Sequence, residues 1–423
     1  MENASHIRLI IKALLLKIVP KLEKRCSPVY NSRKRLLWIS FLFLDVDLHK
    51  TSRIEILKGL SRKGYDVALF GSYSKRKPSA ETLGVRVYCI PVSRAPIISS
   101  IVPAISLIML LPLLILKLRP HFVIVEPQFG TFFGLIAARI IPKPVRPKII
   151  VDVRSIPVES RGFSGWLNDL CFDIAMIITR EILDGVTTIT HMMRDLLCAK
   201  FSINPENVGI WSSGVSTDVF EFRKHAERGR ELRTRLGIDD KFVVLYHGAV
   251  TANRGIAEAI ASSELLESKY RHILFLIIGN GPALESVKAA SQKWIKEGRV
   301  IFHEPVEYTK MPDYISACDI GIVPLPDLPE WRAQCPLNLL ECLAMAKVVV
   351  ATDIPANKEI TAESKSVIYA PSADAEGIAK ALRFAFDNRN MLDEWGIDGR
   401  LLIERHFDWT VIAQRLDQYL SNC

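Results

Sequence analysis

The feature that most constrains this chain is a repeated alternation of short apolar runs and helical stretches. Runs rich in Val, Ile, Leu and Phe fall at 36–41, 67–70, 85–90, 122–125, 148–153 and 185–189. They fall again at 242–246, 273–278, 300–302, 320–323 and 348–351. Between the early runs, Ile54, Leu57 and Leu60 share one helical face that ends at Gly64, and further helical stretches lie at 130–140, 165–182 and 191–200. Strands that are apolar throughout are buried on both faces, which calls for a parallel sheet with helices on either side. The polar stretch from Ser212 to Arg235 interrupts the series. With 423 residues, too many for one ordinary core, the expectation is an α/β chain of two Rossmann-like doubly wound domains. The amino-terminal one is expected over 31–215 and the carboxyl-terminal one over 216–405.

Charge narrows the partners. The formal net charge is +9, which favours nucleic acid, acidic headgroups or phosphorylated substrates. No nucleic-acid-binding signature accompanies it, so nucleic acid is not expected. Basic residues concentrate at Lys12, Lys17, Lys21, Lys24, Arg25, Arg33, Lys34 and Arg35, beside the Ile- and Leu-rich run 7–19. That run is too short and too interrupted to span a bilayer, and it lacks a small-residue cleavage site. Segment 1–30 therefore reads either as an amphipathic helix on an anionic membrane surface or as a plain surface helix. The uncharged segment Ala95 to Leu116 is long enough to span. It lies between two strands of one expected sheet, so it reads as a short, partly buried crossover helix broken at Pro103 and Pro112, with lipid contact left open. The eight cysteines show no C-x-x-C pair and no grouping with His, as in a reduced cytosolic protein that uses them as small core hydrophobes.

Ligands of doubly wound sheets bind beyond the carboxyl ends of the strands, and three such places carry chemistry. After 242–246 comes His247-Gly248-Ala249-Val250-Thr251-Ala252-Asn253-Arg254-Gly255, leading into a helix from Ile256. Close backbone approach, free helix N–H groups and the Arg254 charge suit a diphosphate; a plain strand–helix turn fits the same residues. Gly279-Asn280-Gly281-Pro282 after 273–278 offers a second close approach or an ordinary tight turn. After 320–323 come Arg332 and then Cys335-Pro336-Leu337-Asn338-Leu339-Leu340-Glu341, with Pro336 suited to a first helical turn. Glu341 is a charged residue in an apolar helix. It could accept two ribose hydroxyls or rest at the helix's solvent edge.

Taken together, residues 240–360 resemble the carboxyl-terminal domain of retaining GT-B glycosyltransferases of family four, the group-one type. The matching stretches are Gly248 to Arg254-Gly255, Gly279 to Pro282, and Pro336 through Glu341 to Ala351-Thr352-Asp353. In the first half, Val151 to Glu159 looks like the strand-end loop facing the cleft, and Ser213-Gly214-Val215-Ser216-Thr217-Asp218 like the interdomain hinge. Phe407-Asp408-Trp409 looks like the start of the terminal helix, so 406–423 is expected to cross back to the first domain.

The resemblance implies a GT-B cleft in which Glu341 binds the nucleotide ribose and Arg254 the diphosphate. Gly248, Gly279, Asn280, Gly281, Val306 and Leu337 would line the substrate pocket. Arg154 stands where a histidine is common, Ala249 where a basic residue is, Ala333 where an acidic one is, and Asn338 where a lysine is. Arg154, Arg332 and Asn338 are therefore expected to share the anion and sugar contacts. The implied reaction is retaining sugar transfer to a glycan or lipid-linked acceptor at the cytosolic membrane face. It would use no cofactor beyond the nucleotide-diphosphate sugar itself and no metal. An epimerase or hydrolase on the same fold, or an inactive nucleotide-sugar-binding or membrane-scaffold protein, remains the alternative. Asp45-Val46-Asp47 after the first strand is an Asp-x-Asp of the kind metal-dependent transferases of another fold carry, and reads here as a solvated loop or an acceptor contact.

Overall fold

The computed structural model describes residues 33–46, 50–127, 134–136, 138, 141, 146–156, 163–361 and 364–423. The expected amino-terminal helix and Asp47 lie outside them. The first sheet contains β1 (Arg35–Phe43), β2 (Asp66–Tyr73), β3 (Arg86–Pro91), β4 (Phe122–Val125), β5 (Lys148–Val153), β6 (Gly185–Thr188) and β7 (Val208–Ile210). Its order is β3-β2-β1-β4-β5-β6-β7. The second contains β8 (Phe242–His247), β9 (Ile273–Ile278), β10 (Val300–His303), β11 (Ile320–Val323), β12 (Val348–Thr352) and β13 (Val367–Ala370), ordered β10-β9-β8-β11-β12-β13. All neighbours run parallel; Leu36 to Ile39 lie beside Phe122 to Val125, and Phe242 to His247 beside Ile273 to Ile278. Each sheet reverses its order beside its first strand. At that switch point helices leave in opposite directions and a crevice opens beyond the strand ends.

The helices that matter below are α1 (Lys50–Arg62), α2 (Pro96–Leu118), α3 (Phe163–Ile182), α4 (His191–Phe201), α5 (Phe222–Arg235), α6 (Ile256–Ala261), α7 (Leu337–Ala344), α8 (Pro355–Thr361), α9 (Leu392–His406) and α10 (Trp409–Asn422). Alternate residues of β1 feed opposite layers. Leu36 and Trp38 pack with α1 and α10 through Leu57, Ile412 and Leu416. Leu37 and Ile39 pack with α2 and α3 through Leu107, Leu111, Phe172 and Met176.

Two strands escape the sequence pattern. The three-residue β7 contains Gly209, where a Cβ would lie 2.5 Å from the Tyr419 ring of α10; this strand is held by the terminal helix rather than by its own periodicity. Edge strand β13 is four residues long and is placed by pairing with β12 at the sheet edge. The crossover segment also departs from expectation. Instead of a short broken helix, α2 is a continuous run of 23 residues with Pro103 and Pro112 inside it. Each internal proline costs about 3 kcal/mol in an isolated helix. Burial of Ala104, Leu107, Leu111, Leu114 and Ile115 against the sheet layer offsets that cost.

The chain crosses between the halves twice, and the crossings touch. Val215 pairs with Asp408 as a parallel bridge, Val215 N donates to Phe407 O at 2.9 Å, and Trp409 N donates to Val215 O at 3.2 Å. Asp408 accepts from Thr217 Oγ1 at 2.7 Å and caps α10 by accepting from Thr410 N at 2.8 Å. Arg400, buried on α9, donates to the carbonyls of Thr217, Phe220 and Ala344 and to Glu221 and Glu404. It ties the first crossing to the second half. Removing one partner of such a buried network costs about 3–5 kcal/mol, because the others are left unpaired. Arg400→Ala should therefore lower the urea midpoint by that equivalent. Lysine, lacking the planar fork, should recover only a small part.

Candidate active site

The carboxyl ends of the two sheets face each other, and several contacts fix that arrangement. Thr190, just beyond β6, donates from Oγ1 to Ala333 O at 2.8 Å. Ser212 Oγ lies 3.7 Å from Cys335 Sγ. Glu359 on α8 accepts from His191 N at 2.6 Å and from Met192 N at 3.4 Å, capping α4 of the opposite half. These contacts explain one departure from the family pattern. Ala333 is buried against the first half, so a methyl group with its carbonyl bound to Thr190 occupies the place where an acidic residue is common.

On the second half, Glu341 and Asn338 rise from α7 toward the end of β8. The Glu341 side chain is only 14% exposed, with a carboxyl oxygen 3.5 Å from His247 Nδ1, so it is not at a solvent edge. Burial pushes its carboxyl up to about 8. Burial also pushes His247 down to about 4, against a hydrogen bond to Asn338. At neutral pH the two therefore meet as neutral groups rather than as an ion pair. Asn338 Nδ2 donates to His247 O at 3.4 Å, and its Oδ1 accepts from Leu339 N at 3.1 Å in the first turn of α7. Pro336 stands just before that turn, at the cap. Val306 and Leu337 are half-buried against the core, and burial, reinforced at high pH by ionised Glu341, raises the Tyr308 hydroxyl.

Two of the pocket glycines are also required by the strand-end loops. Gly248 and Gly279 both have positive φ, at 135° and 156°. A Cβ on Gly279 would lie 1.9 Å from Gly248 O, and one on Gly281 2.2 Å from Val250 O. The close approach that excludes side chains is thus between the two strand-end loops themselves. Val250 N donates to Asn280 O at 2.9 Å, and Asn280 Oδ1 accepts from Gly281 N at 2.7 Å, which closes the turn. Arg254 stacks over the Trp331 ring at 4.8 Å, and its Nε is buried without a partner. Trp331 is itself fixed by donating from Nε1 to Asn253 O at 2.7 Å. Arg332, by contrast, is occupied: Nε and Nη2 grip Asp327 at 2.6 and 2.8 Å on the exposed surface.

The facing wall of the first half holds a buried charged group. Arg154, just past β5, donates from Nη2 to Ser213 Oγ at 2.9 Å and lies over the Trp211 ring at 4.2 Å, while its Nη1 is buried without a partner. Burial, then the neighbouring Arg53 charge, lowers it to about 10. Asp152 beside it accepts from Thr187 Oγ1 at 2.7 Å and Trp211 Nε1 at 2.8 Å, with its carboxyl raised by burial. Arg53 clasps Glu126 through two bonds of 2.9 and 3.0 Å. Burial would raise Glu126, but the Arg53 charge outweighs it and holds the carboxyl low. Arg53 and Glu126 were missed in the sequence. Glu126 is the first residue after β4, a strand-end position that could have singled it out. Asp45 is neither a solvated loop residue nor free for an acceptor. It accepts from the backbone N–H groups of Ser74, Lys75 and Arg76, which overcome burial and hold it at about 2. Among the described residues, no three His, Cys, Asp or Glu side chains group as metal ligands.

Comparison with known families now bears on this cleft. Residues 51–219 match the family described as Glycosyltransferase Family 4, and residues 229–422 match Glycosyl transferases group 1. The chain belongs to the family 4, group 1 glycosyltransferases. An alpha-D-kanosaminyltransferase of Streptomyces kanamyceticus is 26% identical over 205 residues, 48% of this chain and 51% of that one. This chain thus spans about half that relative's length. An N,N'-diacetylbacillosaminyl-diphospho-undecaprenol alpha-1,3-N-acetylgalactosaminyltransferase of Campylobacter jejuni is 20% identical, over 86% of this chain and 93% of that one. Among solved structures, Anabaena HepE in complex with UDP and glucose superposes with a TM-score of 0.70 at 13% identity, over 92% of this chain and all of that one. That likeness establishes the GT-B fold of this chain.

The buried pair gives a pH signature. Glu341 ionises near its ordinary value when unfolded but near 8 when folded. Its contribution to stability is therefore complete at acid pH and is lost as pH rises from about 4.5 to about 8. His247 acts oppositely, losing stability as pH falls from about 6.5 toward 4. Glu341→Gln removes only the first dependence. Its melting temperature should gain on the wild type steadily between pH 5 and pH 8, as scanning calorimetry across that window would show.

Proposed function

We propose that this glycosyltransferase moves a sugar from a nucleotide-diphosphate donor to an acceptor with retention of configuration and without a metal ion. The acceptor in this reading is a glycan or lipid-linked glycan presented at the cytosolic membrane face, where the basic amino-terminal segment holds the protein. The observation that carries the reading is Glu341 on α7, a nearly buried carboxyl at the end of the nucleotide-side sheet with no charged partner of its own. A ribose supplies two hydroxyls of the right kind for such a carboxyl. Arg254, oriented by Trp331 and with an unpartnered Nε, is assigned to the diphosphate. Arg154 on the facing wall, with its unpartnered Nη1, is assigned to the transferring phosphate and sugar. Retention and metal independence rest on the family resemblance, in which the leaving phosphate takes the acceptor's proton on the same face. The relatives supply the substrate classes: one structure holds UDP and glucose, and one relative is named for a diphospho-undecaprenol acceptor. Arg332 is left out of the assignment because Asp327 already holds it.

Two measurements test this. Glu341→Gln should weaken donor binding by about 1–3 kcal/mol, the worth of two hydrogen bonds to a neutral carboxyl, as read by titration calorimetry with a panel of nucleotide sugars. Unchanged donor affinity would remove the ribose role. Product formation from labelled donor and membrane extract should survive exhaustive chelation, with Arg254 and helix N–H groups carrying the diphosphate charge. Activity that vanishes on chelation and returns with manganese would overturn the metal-independent mechanism. Donor consumed with no acceptor present would instead indicate hydrolysis or epimerisation.

A further inference from the structure

The helical layer on one face of the first sheet is apolar on its outer side as well as its inner one. Along α2, Ile101, Ile105, Ile108, Met109, Leu113 and Leu116 are 37–55% exposed, while Ala104, Leu107, Leu111 and Leu114 on the opposite stripe are buried. On α3 of the same layer, Trp166, Leu170 and Ile177 are 38–56% exposed. Exposed large apolar residues are ordinarily scattered singly; a stripe along one helix marks a surface that something covers. The stripe cannot rotate inward, because Leu107 already fills the space beside Gly134, 2.5 Å from where a Cβ would be.

The charges identify what covers it. No Asp or Glu occurs from residue 96 to 118, and exposed basic residues stand at both ends: Arg94 before the helix, Lys117 and Arg119 at its close. A second copy of this face would bring those cations against each other in any two-fold arrangement. An anionic lipid surface complements both parts, with acyl chains for the stripe and headgroups for its ends. The helix cannot cross the bilayer, although its composition allows it. Both its ends lead into strands of one sheet, and its inner stripe is packed. It can lie flat, about 35 Å long at 1.5 Å per residue.

We propose that α2 is an in-plane bilayer contact that inserts its outer stripe among the lipids and sets its basic ends at the headgroups. This deepens the membrane part of the proposed function and is independent of its sugar-transfer part. It adds a structured, salt-resistant contact to the amino-terminal basic one.

The test uses the full chain and vesicles of phosphatidylglycerol and phosphatidylethanolamine, sedimented at low and at high salt. Wild type should stay partly bound at high salt, where screening removes the electrostatic share. The triple variant Ile105→Asn, Met109→Asn, Leu113→Asn should lose that residual binding by roughly tenfold or more, since apolar burial is its source. Phe384→Asn with Leu401→Asn, exposed residues of the second half, should bind as wild type does, and circular dichroism melting should show all variants folded. Lys12→Glu with Lys17→Glu should reduce binding at low salt only. Equal high-salt binding by the triple variant and wild type overturns the proposal. So does binding abolished entirely by the Lys12 and Lys17 changes, which would leave the amino-terminal contact standing alone. A wild-type dimer that the triple variant dissolves, seen by analytical ultracentrifugation, overturns it in favour of a second copy.

Discussion

Everything about the cleft depends on two crossings of the chain being hydrogen-bonded to each other. Val215 and Asp408 form a one-rung parallel bridge, with Thr217 and the cap of α10 both satisfied by the Asp408 carboxylate. A single strap between two domains would leave their relative rotation open. Two straps joined side by side restrict it to motions that keep the rung intact. Arg400 extends the restraint by binding carbonyls of the first strap and of the second half together. The facing walls can then present fixed side chains to one another, and contacts as short as Thr190 to Ala333 become possible.

Across that cleft the walls are electrically unlike. The second half offers a carboxyl and an imidazole that burial has made neutral, with one guanidinium stacked on an indole. The first half offers charge: Arg53 paired with Glu126, and Arg154 bonded to Ser213 and stacked on Trp211 with one nitrogen still unpartnered. Such an arrangement keeps the nucleotide side receptive to hydroxyls and the opposite side responsive to anions. Desolvation strengthens both interactions.

The alternation of apolar runs was enough to read both sheets, because strands buried on two faces leave a continuous hydrophobic signature. It missed β7 and β13, whose places are set by Tyr419 and by a sheet edge rather than by their own pattern. The strand-end rule led to Gly248 and Glu341, and the family resemblance to Arg154. That rule did not show that Gly279 and Gly281 are also required by the contact between the loops at 248–250 and 279–281. Asp45 illustrates the same limit: its partners, the backbone groups after β2, are a matter of tertiary geometry. The Arg53–Glu126 pair joins residues 73 positions apart, beyond the reach of any local pattern. The prolines of α2 misled because propensity is a local cost and packing, which decided the outcome, is not.

The terminal helix has one more consequence. Residues 409–422 belong by packing to the first half: Tyr419 closes β6 and β7, and Trp409 and Ile412 complete the layer around Trp38. Yet they are made after the whole second half. On the ribosome the first sheet must therefore wait, with one side of its core uncovered, while the second domain is synthesised and folds. Order of synthesis and order of completion are reversed, and the second domain acts as the arm that delivers the last piece of the first.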